Sequence, residues 1–161
     1  MQNGFIKVAS AIPSVKVANC QYNLQQIESL VATAEGKGVE IIVFPELSVT
    51  GYTCQDLFRQ QLLLEQAELS VMKLLDFTRS LDIICIIGIP VIAGDLLLNC
   101  AAVIQKGSIL GVVPKTFLPN YNEFYEKRWF ASSQDLKPTE IPYAGTKIQL
   151  TATPKVFRTY D

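Results

Sequence analysis

The sequence predicts an α/β protein in which helices cover a largely buried sheet. Apolar runs of strand length alternate with segments of helical periodicity, and several of those runs lack the polar alternation of a strand with one face in water. The 161 residues, 49% of them hydrophobic, suffice for one domain with its own core. Charged residues make up only 18%, below the ~25% typical of soluble domains. This predicts either a heavily buried sheet or apolar surface that another segment or subunit covers.

The N-terminal part predicts a strand–helix–strand unit. Residues 6–12 form an alternating strand that ends at Pro13. Asn23, with a glutamine three residues later, predicts the start of a helix, and Gly36 and Gly38 predict its end. Residues 41–44 form an apolar run typical of a central strand.

The middle of the chain continues the alternation. A helix is predicted over 62–80 and a buried strand over 83–87. Residues 96–104 and 109–113 predict a β-hairpin around a glycine turn. The last part is rich in turns, with one strand predicted at 147–150, and residues 156–161 read as the approach to a further strand.

The composition excludes several kinds of function. The absence of histidine excludes Ser-His-Asp and Cys-His chemistry within these residues. A net charge of −1 without a basic stripe argues against nucleic acid or a membrane surface as partner. Four widely spaced cysteines and no recognisable signal peptide predict a reduced, cytoplasmic protein without a metal site. No glycine-rich phosphate loop is present.

Two charged residues follow predicted strands at positions suited to chemistry. Glu46 comes directly after the apolar run 41–44, and ligands in open α/β sheets bind outside the carboxyl ends of strands. Lys115 follows the hairpin between apolar residues and prolines. Held near an acyl-transfer centre, it would stabilise a developing oxyanion. Each residue taken alone has an ordinary alternative, a turn-capping glutamate and a surface lysine.

Residues 120–130 form the densest aromatic and charged cluster in the chain. They predict either an interface rim or a pocket wall in which Glu123 orients Lys115. Tyr52, shortly after Glu46, is predicted to present a phenol over the same site or to be an ordinary loop residue.

These motifs together resemble the nitrilase, or carbon–nitrogen hydrolase, superfamily. The resemblance rests on residues 44–47 with Gly51-Tyr52, and on residues 115–119. Residues 51–58 and 121–130 further resemble the glutaminase domain of glutamine-dependent NAD synthetases. The resemblance implies a four-layer αββα sandwich, incomplete in this chain, with residues 1–161 as the N-terminal part of one hydrolase domain.

The resemblance also implies roles for individual residues. Glu46 corresponds to the general base, Lys115 to the oxyanion-stabilising lysine and Glu123 to a second glutamate near that lysine, so these three are the expected catalytic residues. Tyr52 and Tyr121 match tyrosines that line the glutamine pocket. Glutamine is the expected substrate, and its ammonia would serve the amidation of deamido-NAD.

No cysteine here matches the nucleophile of the family, which the resemblance places beyond Asp161. We therefore expect an inactive N-terminal fragment of a longer enzyme. ATP and Mg²⁺ are implied only for a synthetase domain outside it, and this segment is expected to bind no cofactor. Homo-oligomers through the outer helical face of the nitrilase fold are also expected.

Three other interpretations stay open. The chain is part of a free-standing ω-amidase or carbamoyl-amide hydrolase, or it is a binding or scaffold module of the same fold without a nucleophile. In the third, Cys54 serves as an alternative nucleophile.

Overall fold

The computed structural model describes residues 4–158. The predictions for residues 1–3 and 159–161 lie outside the described residues. The chain forms helices α1 (Cys20–Gly36) and α2 (Gln61–Thr78) and strands β1 (Val8–Ser10), β2 (Ile41–Val43), β3 (Ile84–Ala93), β4 (Leu96–Gln105), β5 (Ser108–Pro114), β6 (Thr139–Tyr143) and β7 (Thr146–Leu150). Short 3₁₀ turns lie at Gln55–Arg59, Glu126–Arg128 and Ser133–Asp135.

Strands β1 to β5 form one mixed sheet in chain order. The first three strands are parallel, with α1 and α2 as the crossover segments between them, and β3, β4 and β5 are antiparallel neighbours. Strands β6 and β7 form a separate antiparallel hairpin. Because β1, β2 and β3 run the same way, their carboxyl ends meet at one edge of the sheet.

One face of the five-stranded sheet forms the core. Ile42, Cys85 and Ile104 are neighbours in register on adjacent strands, and all are at most 1% exposed in a core shared with both helices. The hairpin β6–β7 joins this core through Tyr143, Ile148 and Leu150. The α/β prediction is therefore confirmed, with one helical layer on one sheet.

The opposite face of the sheet is apolar and is open mainly at β1 and β2, since Ile84 and Val103 on the neighbouring strands are buried. Val8 is 66% exposed and Val43 is 40% exposed, although Val43 follows the core residue Ile42 and Val8 precedes Ala9, which packs against the core. Within residues 4–158 no second large sheet covers this face, as a complete αββα sandwich requires. The ring of Phe157 lies against Gly111 on β5.

The predicted elements are confirmed with the following corrections. Strand β1 covers only Val8–Ser10 of the predicted residues 6–12. Asn19, not Asn23, caps α1, because its side chain accepts a hydrogen bond from the Tyr22 amide at 3.0 Å. Strand β3 runs six residues beyond the predicted end, to Ala93, and β6 was not predicted. Residues 151–158 contain no strand. No helix among residues 4–158 has both the length and the apolar character that crossing a membrane requires.

Candidate active site

Glu46 lies in a tight turn where β2 leaves the sheet. The Phe44 amide still pairs with the Ile86 carbonyl at 2.9 Å, and the chain then turns across β3 at Gly88. A Cβ atom at Gly88 would lie 2.1 Å from the Leu47 nitrogen and 2.6 Å from the Pro45 oxygen. Glycine at this strand position is therefore what allows the Glu46 turn to pack onto the sheet.

Hydrogen bonds on both sides hold this turn. The Gly88 amide donates to Ser48 Oγ at 3.2 Å, and the Gly51 amide donates to the Leu47 carbonyl at 2.7 Å. The buried amide of Asn23 donates to the Val49 carbonyl at 3.0 Å. Leu47 adopts a φ of 51°, an uncommon value for a non-glycine residue, which these surrounding bonds maintain.

Lys115 follows β5 and reaches Glu46 from the neighbouring antiparallel strands. Its amide donates to the Asn99 carbonyl on β4 at 2.8 Å. Its Nζ lies 2.8 Å from Oε1 and 2.9 Å from Oε2 of Glu46. The two predicted residues, far apart along the chain, therefore meet at the carboxyl edge of the parallel strands.

A second carboxylate, Glu126, contacts the same ammonium at 3.1 Å. Its side chain is only 3% exposed, and Oε1 also accepts a hydrogen bond from the Tyr52 hydroxyl at 2.6 Å. The structure thus corrects the prediction that Glu123 orients Lys115. Glu123 is exposed, whereas the turn Glu126–Arg128 directs Glu126 inwards.

The charges of this cluster keep Lys115 protonated. Partial burial by itself would lower the pKa of Lys115, but hydrogen bonds to Glu46 and Glu126 outweigh it, and the pKa is raised. Burial and the bond to Glu126 raise the pKa of Tyr52 above its usual value, so its phenol remains a donor. Lys115 is therefore suited to stabilise negative charge and is unsuited to act as a base at neutral pH.

A clamp centred on Asp56 holds the loop of Tyr52 against the turn of Glu126. Arg128 Nε and Nη2 each donate to the Asp56 carboxylate at 3.1 Å, and Trp129 Nε1 donates to it at 2.9 Å. Below this clamp the rings of Phe58 and Phe130 pack edge to face at 4.9 Å. The arrangement places the phenol of Tyr52 on Glu126.

A cavity of about 280 Å³ opens beside the Glu46–Lys115 pair. Its lining includes the pair itself, Asn99, and apolar residues of the open sheet face such as Ile86 and Val113. Tyr121 remains at the surface, where its ring packs on Phe124 at 5.8 Å. Its part in substrate binding stays a prediction.

None of the four cysteines has the environment of a nucleophile. All are at most 3% exposed. Burial raises the pKa of Cys20 to about 11 and that of Cys85 to about 12, and it raises the pKa values of Cys54 and Cys100 as well. Cys54 donates its thiol proton to the Thr50 carbonyl at 3.1 Å. Residues 4–158 contain no group of side chains able to hold a metal ion.

Three residues of the site escaped the sequence analysis, although each left a signal. Gly88 is a lone glycine inside an apolar strand, a pattern that indicates close approach of another backbone. Asn99 is an isolated polar residue in the apolar run of β4. Glu126 lies three positions after Glu123 in the same cluster, and the spacing alone does not show which of the two glutamates contacts Lys115.

The model of the carbon-nitrogen hydrolase family matches residues 7–155. The chain belongs to this family. The match includes Glu46, Lys115 and Glu126, so the charged cluster lies within the family's own domain.

The chain is also similar in sequence to curated enzymes. It is 35% identical over 132 residues to a glutamine-dependent NAD(+) synthetase of Mycobacterium leprae, a match that covers 82% of the chain and 19% of that protein. It is 36% identical over 132 residues to the enzyme of the same name from Aquifex aeolicus, covering 82% and 23%. The chain thus spans about a fifth of the length of these curated relatives.

Solved structures agree with this assignment of the fold. A glutamine-dependent NAD(+) synthetase from Cytophaga hutchinsonii superposes with a TM-score of 0.78 at 28% identity, covering 89% of this chain and 24% of that one. An amidase from Nesterenkonia sp., at 20% identity and a TM-score of 0.72, shares the fold over 92% of this chain and 56% of its own. The five-stranded sheet and its helices are therefore a portion of the nitrilase fold.

Proposed function

We propose that this chain supplies the base and the ammonium of a glutamine-hydrolysing site whose ammonia serves NAD synthesis. The observation that carries the proposal is the contact of Lys115 Nζ with both oxygens of Glu46 beside a cavity at the carboxyl edge of the sheet. The named function of the relatives, glutamine-dependent NAD synthesis, supports glutamine as the substrate.

The chemistry divides between the two residues. Glu46 takes the proton of a cysteine thiol, and the thiolate attacks the side-chain carboxamide carbon of glutamine. Lys115 stabilises the resulting oxyanion. When the C–N bond breaks, Glu46 returns the proton to the leaving nitrogen, and ammonia departs from the thioester. Water then hydrolyses the thioester, with Glu46 as the base.

The nucleophile is the component that this sequence does not supply. Its four cysteines are buried, with raised pKa values, so none of them is available as a thiolate. We expect the 161-residue chain by itself to release no ammonia from glutamine. Its cytoplasmic location, and homo-oligomers through the outer helices, are further parts of the proposal.

A domain exchange tests the proposal. The 132 residues of this chain that match the M. leprae NAD synthetase replace the corresponding region of that enzyme, and the hybrid is assayed for ammonia release from glutamine. We expect release, with Glu46→Gln reducing it by about 10²–10⁴-fold and Lys115→Met by about 10²–10³-fold. Lys127→Met, at an exposed position, is the matched control.

A second assay separates loss of the synthetase reaction from loss of glutamine hydrolysis, and circular dichroism of the hybrid checks that the exchanged region is folded. The hybrid is also given ammonium chloride, which bypasses glutamine hydrolysis in NAD synthesis. A hybrid that uses ammonium but releases no ammonia from glutamine contradicts the proposed function.

A further inference from the structure

Asn99 is the one other polar side chain that contacts Glu46 among residues 4–158 and that the mechanism above does not use. It lies on β4 between Leu98 and Cys100 and is 3% exposed. Its Nδ2 donates to Glu46 Oε2 at 3.3 Å. Since a carboxylate only accepts, this contact also fixes which end of the amide faces Glu46.

The two oxygens of Glu46 consequently have different surroundings. Oε2 accepts from both Asn99 Nδ2 and Lys115 Nζ, at 3.3 and 2.9 Å. Within the described part of the chain, Oε1 contacts only Lys115, at 2.8 Å. The Glu46 side chain is half exposed, so a donor in the cavity can approach it. Oε1 is the oxygen with capacity left to accept a proton.

Asn99 also touches the second member of the pair through its backbone. Its carbonyl accepts the Lys115 amide at 2.8 Å, the next step of the ladder after the pairing of Cys100 with Pro114. One residue therefore fixes the backbone of Lys115 and one oxygen of Glu46. Among residues 4–158, the charged and titratable groups around Glu46 are Lys115, Tyr52 and Glu126.

We propose that Asn99 is a positioning residue for Glu46, tethering Oε2 so that Oε1 faces the cavity as the proton-accepting oxygen. The inference rests on the proposed function for the identity of the reaction, but the tether itself is independent of it. If Asn99 did not tether Glu46, hydrogen exchange of its side-chain amide would not depend on the carboxylate at position 46.

The tether is tested by NMR on the chain itself, through hydrogen exchange of the Asn99 side-chain amide. Glu46→Met removes the acceptor, and we expect exchange to accelerate about tenfold, as for the loss of one hydrogen bond to a charged group. Glu123→Met removes an exposed carboxylate and should leave the exchange unchanged. Equal exchange rates in the chain and in Glu46→Met overturn the proposal.

Positioning is tested in the hybrid enzyme described above. We expect Asn99→Leu to lower kcat by at least tenfold with KM changed less than twofold, since it misaligns a base without removing a substrate contact. Gln105→Leu makes the same change at the far end of β4, where the amide donates to the Asp82 carbonyl, and should alter neither constant. An unchanged kcat in Asn99→Leu overturns the positioning role.

Two further provisions cover a variant that does not fold and a hybrid that does not hydrolyse glutamine. Should Asn99→Leu fail to fold, judged by circular dichroism, Asn99→Ala removes the donor without adding a charge and is held to the same criterion. Should the hybrid use ammonium but not glutamine, the proposed function fails, and the amide exchange still decides whether the tether exists.

Discussion

The ammonium of Lys115 pairs with two carboxylates, those of Glu46 and Glu126, so its removal should lower the stability of the chain. Without the ammonium, the buried carboxylate of Glu126 lacks its cation and faces Glu46 as a like charge. We expect Lys115→Met to lower the free energy of unfolding by roughly 2–3 kcal/mol, below the full cost for a buried pair because Glu46 is half exposed. Urea denaturation measures this difference, with Lys127→Met as a control expected to stay within about 0.5 kcal/mol.

The stability difference between the native chain and Lys115→Met should also depend on pH, in a direction that the pKa of Lys115 defines. The pKa of Lys115 is raised in the folded chain, so the folded state favours the protonated form. Its contribution is complete below the unfolded value of about 10.4 and is lost as the pH rises through the folded value. The stability difference between the native chain and Lys115→Met should therefore be constant from pH 7 to 9 and decrease above about 10.4. A constant difference up to pH 12 would contradict the assignment.

Gly88 makes the position of Glu46 depend on the absence of a side chain. An added Cβ meets backbone atoms of residues 45–47 at 2.1–2.7 Å, and backbone cannot move aside as a flexible side chain can. We expect Gly88→Ala to cost about 3 kcal/mol or more and to lower the pKa of Lys115, because the displaced Glu46 no longer contacts it. Denaturation and NMR titration of Lys115 measure the two effects.

A glycine in α1 provides the matched control. A Cβ at Gly36 meets nothing within 4 Å, and Gly36→Ala should stabilise the chain by up to about 1 kcal/mol. If Gly88→Ala behaves like Gly36→Ala, the close approach at β3 is wrong.

The residues that could be predicted are those whose chemistry is unusual for their local sequence. Glu46 and Lys115 each follow a predicted strand, and the resemblance to the carbon–nitrogen hydrolases joins them in one site. Glu126 could not be separated from Glu123, because the choice depends on which way a three-residue turn faces. Asn99 required the register of β4 against β5, which no local pattern contains.

At the scale of elements, the strands with strong apolar runs were predictable and the weak ones were not. Residues 41–43 and 84–87 are apolar throughout and are strands as predicted. Strand β6 contains Pro142 and alternates weakly, so only its pairing with β7 defines it. Helix α1 begins earlier than predicted because Asn19 offers the cap, while Asn23 is used inside the protein to hold the Glu46 loop.

The Asp56 clamp joins two elements of the site, and acid should open it. Hydrogen bonds from Arg128 and Trp129 lower the pKa of Asp56 to about 2. Its contribution is present above the unfolded value of about 3.9 and is lost as the pH falls through about 2. Trp129 is the single tryptophan of the chain, so its fluorescence reports the clamp directly. We expect Asp56→Asn to shift the emission at pH 5 to the position that the native chain reaches only near pH 2.

A second aspartate–arginine pair supplies the control. Asp76 and Arg79 pair at 2.6 Å near the end of α2, away from Trp129. Asp76→Asn should leave the tryptophan emission unchanged across this pH range. Identical emission of the native chain and Asp56→Asn at pH 5 would show that the clamp does not hold Trp129.

At the scale of the molecule, the two faces of the main sheet are unequal. One face is covered by helices, and the other presents valine and isoleucine side chains around the cavity of the site. An exposed apolar face of this kind favours association over the monomer. The outer surface of α2 offers a competing apolar patch in Leu62, Leu69 and Met72.

The open sheet face favours self-association more strongly than the patch on α2. Its apolar side chains are continuous across neighbouring strands, whereas those on α2 are separated by charged residues. We expect the chain to self-associate, and Val8→Lys, on the open face, to shift sedimentation velocity profiles towards the monomer. Leu62→Lys places the same charge on α2 at a residue of similar exposure and should change the profiles far less. A larger effect of Leu62→Lys than of Val8→Lys would assign association to the outer helices, the face expected from the nitrilase resemblance. A chain that is monomeric at all concentrations would contradict association through either face.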